Sequence, residues 1–492
     1  MITQDDVIYF VLTDRFHSGD LSNDQGVDAS KPEMYHGGDF AGLRAKIPYL
    51  KALGITAVWI TPVYLSIGEL NQESAGYHGY WALDFEKVDP HLYSAQPRRA
   101  EGSREYLKDL VDAFHAEGIK VILDMVVNHT GYHNDTYDNY PHKKFTEDMF
   151  NEEGQLHGLP DLDLRQPRLV DYFIHNILDW IEQTGIDGIR MDTVTHVHDT
   201  FWYFFKSCIK TSHPGVTLIG EVLDSDPWTV GRYQQAHDFD TLFDFPLRDA
   251  LVGTLVWDQS MTRLARPRLH DDEARGILDI EAPYTNANRL VTLLDNHDLG
   301  RRIASEVLSR THGDQDLAQK ILKLCLTLQL TTRGIPQLYY GTEIGMEGEA
   351  DPDNRRDMPW SRFGNDNRPT DAHPFEQGLY DHTVGMIRFR AGHPAIRFGY
   401  LLTLYVDHFL YAFLREFRGD VVLVVLNNGL EPMPHPVTLE IGQNRNVPPR
   451  ITQLLEGKTL RSQTPGVGDL SIAGGQAHAR LPGKTAAVFT LP

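Results

Sequence analysis

The chain has 492 residues, 41% of them hydrophobic and 23% charged, and its formal net charge is -22 at pH 7. Nucleic acids and anionic membranes bind proteins through basic patches, so this acidic balance argues against both as partners. The length accommodates a barrel together with a second domain.

Eight short apolar or β-branched runs follow one another along the chain and predict buried parallel strands. They lie at 7–12, 55–61, 121–127, 188–192, 217–222, 242–245, 290–295 and 335–340. Amphipathic segments separate them: one at 107–114 precedes Gly118 and another at 170–181 precedes Gly185, a pattern typical of helices with one buried face. Eight strand–helix alternations predict an α/β fold, the (β/α)8 TIM barrel.

Two regions depart from this alternation. Residues 130–166 are polar and rich in His, Asp and Asn, and they predict a long inserted loop domain after the third strand, a type of loop that is usually functional. From 398 the pattern becomes all-β, with a hairpin predicted at 409–417 and 421–428 around a Gly-Asp turn and a last strand at 486–492. The predicted domains are a barrel at 1–129 and 167–397, the inserted domain at 130–166 and a C-terminal antiparallel β-sandwich at 398–492.

The cysteines and the N-terminus indicate the cellular compartment. Cys208 and Cys325 both lie in apolar, helix-like stretches, which favours two buried free thiols over a disulfide. No basic or apolar leader precedes the strand-like start MITQDDVIYF, and no apolar run is long enough to span a membrane. We therefore expect a cytoplasmic protein without a membrane partner, and the oligomeric state stays open.

Three carboxylates end three of the predicted strands. They are Asp192 in RMD, Glu221 in GE and Asp298 in NHD. Strand ends form the active-site face of a (β/α)8 barrel, and unpaired carboxylates are costly to bury. Glycoside cleavage needs an acid/base and a nucleophile, so the three acids indicate that chemistry, with ordinary ion pairs as the alternative.

The segments around these acids resemble the motifs of the α-amylase family of glycoside hydrolases. The similar segments, in the family's order, are GITAVWITP at 54–62, DMVVNH at 124–129, LPDLD at 159–163, GIRMDTVTH at 188–196, IGEV at 219–222, LLDNHD at 293–298 and GIPQLYYGTEIGM at 334–346. Each motif alone is weak. Their shared order over roughly residues 7–395 identifies the chain as a member of the family.

The resemblance implies a retaining mechanism in which Asp192 is the nucleophile and Glu221 the acid/base. Asp298 would be the third carboxylate, which binds sugar hydroxyls and stabilises the distorted ring. Arg190 precedes Asp192 by two residues, so the two side chains share one face of a strand. We expect the Arg190 guanidinium to keep Asp192 ionised, as a nucleophile requires.

The resemblance also implies contacts to the sugar at the cleavage point. His129 and His297 would bind its hydroxyls, whereas a structural or capping role is the alternative for both. Tyr80 in GYHGYW would stack on the ring through its aromatic face, and His78 would contact the same sugar. Packing is the alternative for Tyr80 and His78.

Further from the cut, the segment DPDNRRDMPW at 351–360 resembles the family's sugar-contacting loop after the eighth strand. Asp351 and Arg355 are the candidate contacts, and a solvated ion pair is the alternative. No Cys/His spacing suggests zinc.

Structural Ca2+ is the expected cofactor, because the family's calcium joins the inserted loop to the barrel. Hard oxygens would come from Asn128, Asp161 and the carbonyl of His196, with a metal-free hydrogen-bonded network as the alternative. A second candidate is the loop SGDLSND at 18–24 with GGD at 37–39, which resembles the first calcium loop of cyclodextrin glucanotransferases and neopullulanase-like enzymes. Its candidate ligands are Asp20, Asn23, Asp24, Asp39 and the Gly37 carbonyl.

This second loop departs from the family pattern, because Ser18 stands where an aspartate is usual. The lost charge weakens the expected affinity, and an Asn/Asp-rich turn without metal is the alternative.

The substrate is the least determined part of the prediction. Thr193 after the nucleophile favours α-1,4 bonds, whereas Thr195 replaces a lysine that many α-amylases carry. We predict a retaining hydrolase of α-1,4-glucosidic bonds in starch-derived glucans or maltooligosaccharides. The alternative is a cyclomaltodextrinase-like, α-glucosidase-like or transglycosylating enzyme with the same acids. A non-catalytic binding or assembly subunit is a remote alternative, which the intact triad opposes.

Overall fold

The computed structural model describes residues 1–94, 96, 99–132, 145–235, 239–266 and 275–492. Part of the predicted inserted domain, at 133–144, therefore lies outside the described residues. No helix in the described part of the chain is both long and apolar enough to cross a membrane.

Eight parallel strands form the barrel. They are β1 (Ile8–Val11), β2 (Ala57–Ile60), β3 (Lys120–Met125), β4 (Gly188–Met191), β5 (Thr217–Gly220), β6 (Thr241–Leu242), β7 (Val291–Thr292) and β8 (Ile335–Tyr339). Their order is β6-β5-β4-β3-β2-β1-β8-β7, and a single parallel bridge between Phe243 and Val291 joins the two ends. Each predicted run overlaps one strand, although β3 and β6 each begin one residue before their runs, so the predicted barrel is confirmed.

Helices surround the barrel and complete its alternation with the strands. They are α1 (Thr13–Phe16), α2 (Phe40–Ala45), α3 (Ile47–Leu53), α4 (Glu105–Ala116), α5 (Pro167–Thr184), α6 (Asp199–Ser212), α7 (Pro227–Gln235), α8 (Phe245–Leu255), α9 (Ile303–Arg310), α10 (Gln315–Thr331), α11 (Pro374–Gly392) and α12 (Pro394–Phe398). The predicted amphipathic segments are α4 and α5. Gly185 ends α5 in the left-handed conformation that glycine adopts without strain.

The barrel strands are buried on both faces because the helices cover one face and the barrel interior fills the other. Aromatic rings occupy the interior beneath the strand ends: Phe10 stacks on Trp59 with ring centroids 3.6 Å apart, and Tyr339 lies 5.2 Å from Phe10. This packed layer supports the side chains at the ends of the strands.

Two small antiparallel hairpins leave the barrel. One pairs Tyr64–Ser66 with Ala82–Val88, and the other pairs Phe150–Asn151 with Asp161–Leu162. The second hairpin belongs to the segment predicted as an insertion. An antiparallel bridge between His129 and Asp161 fastens that hairpin to the end of β3.

The C-terminal region forms an antiparallel sheet with its own apolar core, which includes Leu414, Leu423 and Phe489. Its strands are β9 (Tyr400–Val406), β10 (Leu410–Phe417), β11 (Asp420–Asn427), β12 (Val437–Glu440), β13 (Thr459–Ser462), β14 (Leu470–Ala473), β15 (Gln476–Ala479) and β16 (Thr485–Thr490), with helix α13 (Pro449–Leu455) between β12 and β13. The predicted hairpin is β10–β11.

The turn of that hairpin differs by one residue from the prediction. Phe417 pairs with Asp420, so the turn residues are Arg418 and Gly419, both with positive φ, and Asp420 belongs to the strand. Two positive φ angles match the twist of the flanking strands.

Candidate active site

A cavity of about 480 Å3 opens at the carboxyl ends of the barrel strands. Nine of the ten predicted catalytic and substrate-binding side chains line it: His78, Tyr80, His129, Asp192, Glu221, His297, Asp298, Asp351 and Arg355. The tenth, Arg190, is fully buried beneath them. The fold therefore brings residues from distant parts of the sequence to one cavity.

The Arg190 guanidinium connects the carboxylates below this cavity. Its Nη1 donates to Asp192 Oδ1 at 2.8 Å and to the two oxygens of Asp124 at 2.9 and 3.1 Å. Its Nη2 lies 2.5 Å from Glu221 Oε1 and 3.8 Å from Asp298 Oδ2. One guanidinium therefore lies within 4 Å of four carboxylates.

Arg190 acts on the pKa of Asp192 in the expected direction, but burial and the neighbouring carboxylates oppose it. Burial raises the pKa of Asp192 well above its ordinary value; Arg190 lowers it, and the nearby carboxylates, Glu221 foremost, raise it further. The sequence argument considered the cation and left out both burial and the competing acids. The acid cluster consequently favours a bound proton, and a retaining carboxyl pair requires one of its two groups to be protonated.

Asp124 is a functional residue that the sequence reasoning missed. It is fully buried on β3, directly across the sheet from Arg190 on β4. Besides Arg190, it accepts hydrogen bonds from Trp59 Nε1 at 3.1 Å and from Tyr80 Oη at 2.8 Å. Burial raises the pKa of Asp124 to about 6. A lone aspartate in the apolar run 121–127 was the available signal, because such a group needs a buried partner.

Backbone geometry joins the predicted nucleophile to the predicted acid/base. Thr193 follows Asp192 and adopts a left-handed conformation with φ of +51°, which is uncommon for a β-branched residue. Its N–H donates to Glu221 Oε2 at 3.2 Å, and the Val194 N–H donates to the Glu221 carbonyl at 3.2 Å. The turn after β4 therefore holds the side chain of Glu221 beside Asp192.

The histidines of the cavity are neutral hydrogen-bonding groups. Burial lowers the pKa of His129 to about 4 and lowers the pKa values of His78 and His297 well below their ordinary range. A neutral imidazole offers one donor and one acceptor, which suits hydroxyl partners. His129 Nε2 and His297 Nδ1 are buried and have no hydrogen-bond partner among the described residues.

Tyr80 is held in place by its neighbours in the cavity. Its ring stacks on His297 with centroids 5.3 Å apart, and its Oη lies 2.7 Å from His297 Nε2. His78 Nδ1 accepts from the Tyr80 N–H at 3.1 Å. The predicted stacking residue is thus ordered by contacts with His297 and His78, two of the histidines predicted to contact the sugar.

Asp298 forms the open wall of the cavity, with 31% of its side chain exposed. Its carboxylate lies 3.2 Å from His297 Nε2 and 3.6 Å from Arg355 Nη2. Arg355 is buried and also lies 3.1 Å from Asp351, whose side chain is half exposed. Asp351 and Arg355 therefore form the ion pair that was the alternative interpretation, and both also line the cavity as the predicted sugar contacts should.

Two of the three residues predicted to bind calcium at the inserted hairpin, Asn128 and Asp161, lie close together. Asn128 and Asp161 are buried, and the Leu162 N–H donates to the Asn128 carbonyl at 2.8 Å. Asp161 Oδ1 is buried and without a hydrogen-bond partner in the described part of the chain. An unsatisfied hard oxygen of this kind fits Ca2+. His196, the third candidate, is exposed and lines the cavity.

The N-terminal loop has a second set of oxygens. Asp39 is fully buried and accepts from the backbone N–H groups of Gly19, Asp20 and Gly42 and from Asn23 Nδ2. It is therefore satisfied within the protein.

The other oxygens of this loop are less well satisfied. Asn23 Oδ1 and Asp24 Oδ1 are buried without partners among the described residues, and a Cβ at Gly37 would lie 2.6 Å from Asp24 Oδ1. No group of three or more His, Cys, Asp or Glu side chains in the described ranges has the arrangement of a metal centre, so both candidate sites depend on amide and carbonyl oxygens.

A (β/α)8 barrel whose strand ends bring linked carboxylates to one cavity has the arrangement that a glycoside hydrolase requires. A family model described as the alpha amylase catalytic domain matches residues 10–155 and 144–376. The chain therefore belongs to the α-amylase family of glycoside hydrolases, and it is an enzyme of that family.

The chain is also similar in sequence to individual enzymes that are named amylase or cyclomaltodextrinase. The chain is 33% identical to a beta/alpha-amylase of Paenibacillus polymyxa over 86% of its own length and 29% identical to a cyclomaltodextrinase of Thermoanaerobacter pseudethanolicus over 87%. It spans 33% of the first enzyme and 70% of the second.

Two solved structures match nearly the whole chain. The crystal structure of an Anoxybacillus α-amylase has a TM-score of 0.80 and 33% identity, and the match covers 99% of this chain and 98% of that one. An α-amylase of Geobacillus thermoleovorans, complexed with acarbose, has a TM-score of 0.79 and 31% identity over 100% and 99% of the two chains.

Proposed function

We propose that the protein hydrolyses α-1,4-glucosidic bonds in starch-derived glucans or maltooligosaccharides with retention of configuration. The observation that carries the proposal is the position of Arg190, which contacts Asp192 and lies 2.5 Å from Glu221 beneath one cavity. A nucleophile and an acid/base held by one guanidinium are the two groups that a retaining mechanism needs.

The proposed reaction has two steps. Asp192 attacks the anomeric carbon while Glu221 donates its proton to the departing sugar oxygen, which forms a covalent glycosyl-enzyme. Glu221 then takes a proton from water, which attacks the same carbon and releases Asp192. The exposed carboxylate of Asp298 and the unpartnered ring nitrogens of His129 and His297 would bind the sugar hydroxyls through both steps.

Transfer to a second sugar is the alternative activity. Leu223 lines the cavity two residues after Glu221, and it is 56% exposed. An apolar side chain at that position offers a surface to the ring of an acceptor sugar and displaces water beside the acid/base. Whether water or a sugar attacks the glycosyl-enzyme decides between the two activities.

We also propose structural Ca2+ at one or both candidate sites. Support comes from three buried oxygens without partners among the described residues, on Asn23, Asp24 and Asp161. The ion would tie the inserted hairpin to β3 at one site and order the loop after α1 at the other. It would take no part in the reaction.

A timed product profile tests the proposed activity. Soluble starch, maltoheptaose, cyclodextrin, pullulan, isomaltose and sucrose are supplied in parallel, with the Glu221→Gln protein as the blank. Short maltooligosaccharides released from within starch support an α-1,4 endo-hydrolase. Products longer than maltoheptaose, or glucose released alone from chain ends, would move the assignment to a transglycosylase or an α-glucosidase.

A further inference from the structure

Two chain segments leave the rim of the cavity side by side. His196 and Leu223 both line the cavity, the first in the turn after β4 and the second after β5. Helix α6 begins at Asp199, three residues after His196, and α7 begins at Pro227, four residues after Leu223. The outward faces of α6 and α7 therefore continue from the part of the rim beside Glu221.

An ion pair joins these two helices on the surface. Arg232 Nη2 lies 2.7 Å from Asp199 Oδ2, and both side chains are about half exposed. Residues four apart on a helix share one face, with Cβ atoms about 6 Å apart. Trp228 is four residues before Arg232, and Tyr203 is four residues after Asp199. The ion pair therefore lies between Trp228 and Tyr203 along one surface.

Both aromatic side chains are directed to solvent rather than into the protein. Trp228 is 61% exposed and Tyr203 is 66% exposed, whereas the buried faces of the two helices are formed by other residues, such as Trp202 and Val230. Phe204 contacts the Tyr203 ring edge-on at 5.6 Å between centroids, which limits the motion of that ring. Both rings are therefore accessible from solvent to a ligand that stacks on aromatic faces.

We propose that Trp228 and Tyr203 form an accessory docking surface for a long α-glucan chain whose other part occupies the cavity. Aromatic faces bind the apolar C–H faces of sugar rings, and the Asp199–Arg232 pair between them offers a carboxylate and a guanidinium to hydroxyls. The proposal rests on the proposed function and adds that the preferred substrate is longer than the cavity.

The character of the surface favours a glucan over a protein partner. The two rings are separated by a paired acid and base, so the surface has alternating apolar and polar positions. A protein partner requires a contiguous, desolvated patch with an apolar centre. A glucan chain is uncharged and repeats the same apolar face and hydroxyl edge along its length, which matches this alternation.

Kinetics on substrates of two lengths test the inference. Trp228→Ala and Tyr203→Ala are compared with the parent on amylose and on maltotriose, which is too short to reach both rings and the cavity. We expect each variant to raise KM on amylose about fivefold, with kcat and the maltotriose parameters unchanged. Trp228→Phe and Tyr203→Phe keep a ring and should stay close to the parent.

Two exposed aromatic residues elsewhere supply matched controls. Trp257 is 48% exposed at the end of α8, and Tyr400 is 66% exposed at the start of β9. Alanine at either position should leave KM on amylose unchanged. Affinity electrophoresis of Glu221→Gln proteins in amylose gels measures binding without turnover, where Trp228→Ala should migrate faster than its parent.

The possible failures are distinct. If the parent degrades amylose but Trp228→Ala and Tyr203→Ala match it in KM and in the amylose gel, the docking surface is refuted while the proposed function stands. An equal KM rise on amylose and maltotriose would also refute it, because the defect would then lie in the cavity. A parent without activity on any α-glucan refutes the proposed function itself.

Discussion

Replacing Asp124 by asparagine tests whether the shared guanidinium controls the acid cluster. Asp124 accepts from three donors, namely Arg190 Nη1, Trp59 Nε1 and Tyr80 Oη, and all of its oxygens are buried. An amide keeps one acceptor oxygen and adds an NH2 group. If the oxygen stays with Trp59 and Tyr80, the NH2 group faces Arg190 Nη1, and a donor then opposes a donor.

The expected loss of stability follows from these contacts. Breaking a buried ion pair costs about 3–5 kcal/mol, and one charge-assisted hydrogen bond contributes about 1.5–3 kcal/mol. Arg190 keeps its contacts to Asp192 and Glu221, so the smaller range applies. We expect the free energy of unfolding of Asp124→Asn to fall by about 1.5–3 kcal/mol, measured by chemical denaturation.

The Asp124→Asn variant should also shift the pH dependence of kcat/KM, which a purely structural defect would leave unchanged. The Asp124 carboxylate raises the pKa of Asp192, so its removal lowers that pKa. The acidic limb of kcat/KM requires the ionised nucleophile and should therefore move to lower pH. A small shift of Arg190 that keeps its contacts to Asp192 and Glu221 would move these two carboxyls with it, and kcat should fall about 100-fold, since misplacing a catalytic group by about 1 Å costs about that factor.

Asp295→Asn is the matched control, because Asp295 is another buried aspartate near a strand end. It accepts from Thr342 Oγ1 and the Ile303 N–H and makes no contact with Arg190. This variant should lose stability, but the acidic limb of its kcat/KM profile should stay at the parental pH. An Asp124→Asn protein with parental stability and an unmoved acidic limb would refute the role assigned to the network.

Three further predictions concern other parts of the molecule. Asp192→Asn and Glu221→Gln should each lower kcat on maltoheptaose on the order of 10^4-fold without lowering the melting temperature, and near-parental activity in either would contradict the catalytic assignment. Burial lowers the pKa of His297, so the unfolded chain binds a proton below about pH 6.5 that the native chain does not. The contribution of neutral His297 to the free energy of unfolding should therefore be fully present above that pH and should decline toward about pH 4.5. The free energy of unfolding should fall less steeply with decreasing pH in His297→Gln than in the parent, and equal slopes in the two proteins would contradict this prediction. A chelator should lower the melting temperature if Ca2+ occupies the Asp161 site, and Asp161→Asn should abolish this shift; an unchanged melting temperature after thorough chelation opposes a removable ion.

The barrel was predictable because strands that are buried on both faces have short continuous apolar runs in the sequence. Each of the eight apolar runs overlaps a strand, and α4 and α5 have the predicted three-and-four spacing. The active site was then predicted at the carboxyl ends of these strands, since all parallel strands of a barrel end on the same side. The positions of Asp192, Glu221 and Asp298 followed from that rule together with the family motifs.

Features that depend on register and burial were not predictable in the same way. Asp124 meets Arg190 because β3 and β4 pair in one particular register, which the separate runs do not specify. The pKa of Asp192 was misjudged because burial and a shared cation are properties of the assembled site. The hairpin turn was placed one residue late because Asp420 suits a turn by composition while its backbone pairs with Phe417.

The closure of the barrel has a consequence for its motions. β6 and β7 have two residues each, and the single Phe243–Val291 bridge joins them, with one added bond from the Asp244 N–H to the Val291 carbonyl. Local opening favours segments with few backbone hydrogen bonds, so fluctuations should concentrate at this seam. Asp298 follows β7, whereas the strands that carry Asp192 and Glu221 have longer pairings. Amide exchange should therefore be fastest beside the third carboxylate, and a bound sugar that contacts Asp298 should slow it by bridging the seam to the rigid half of the barrel.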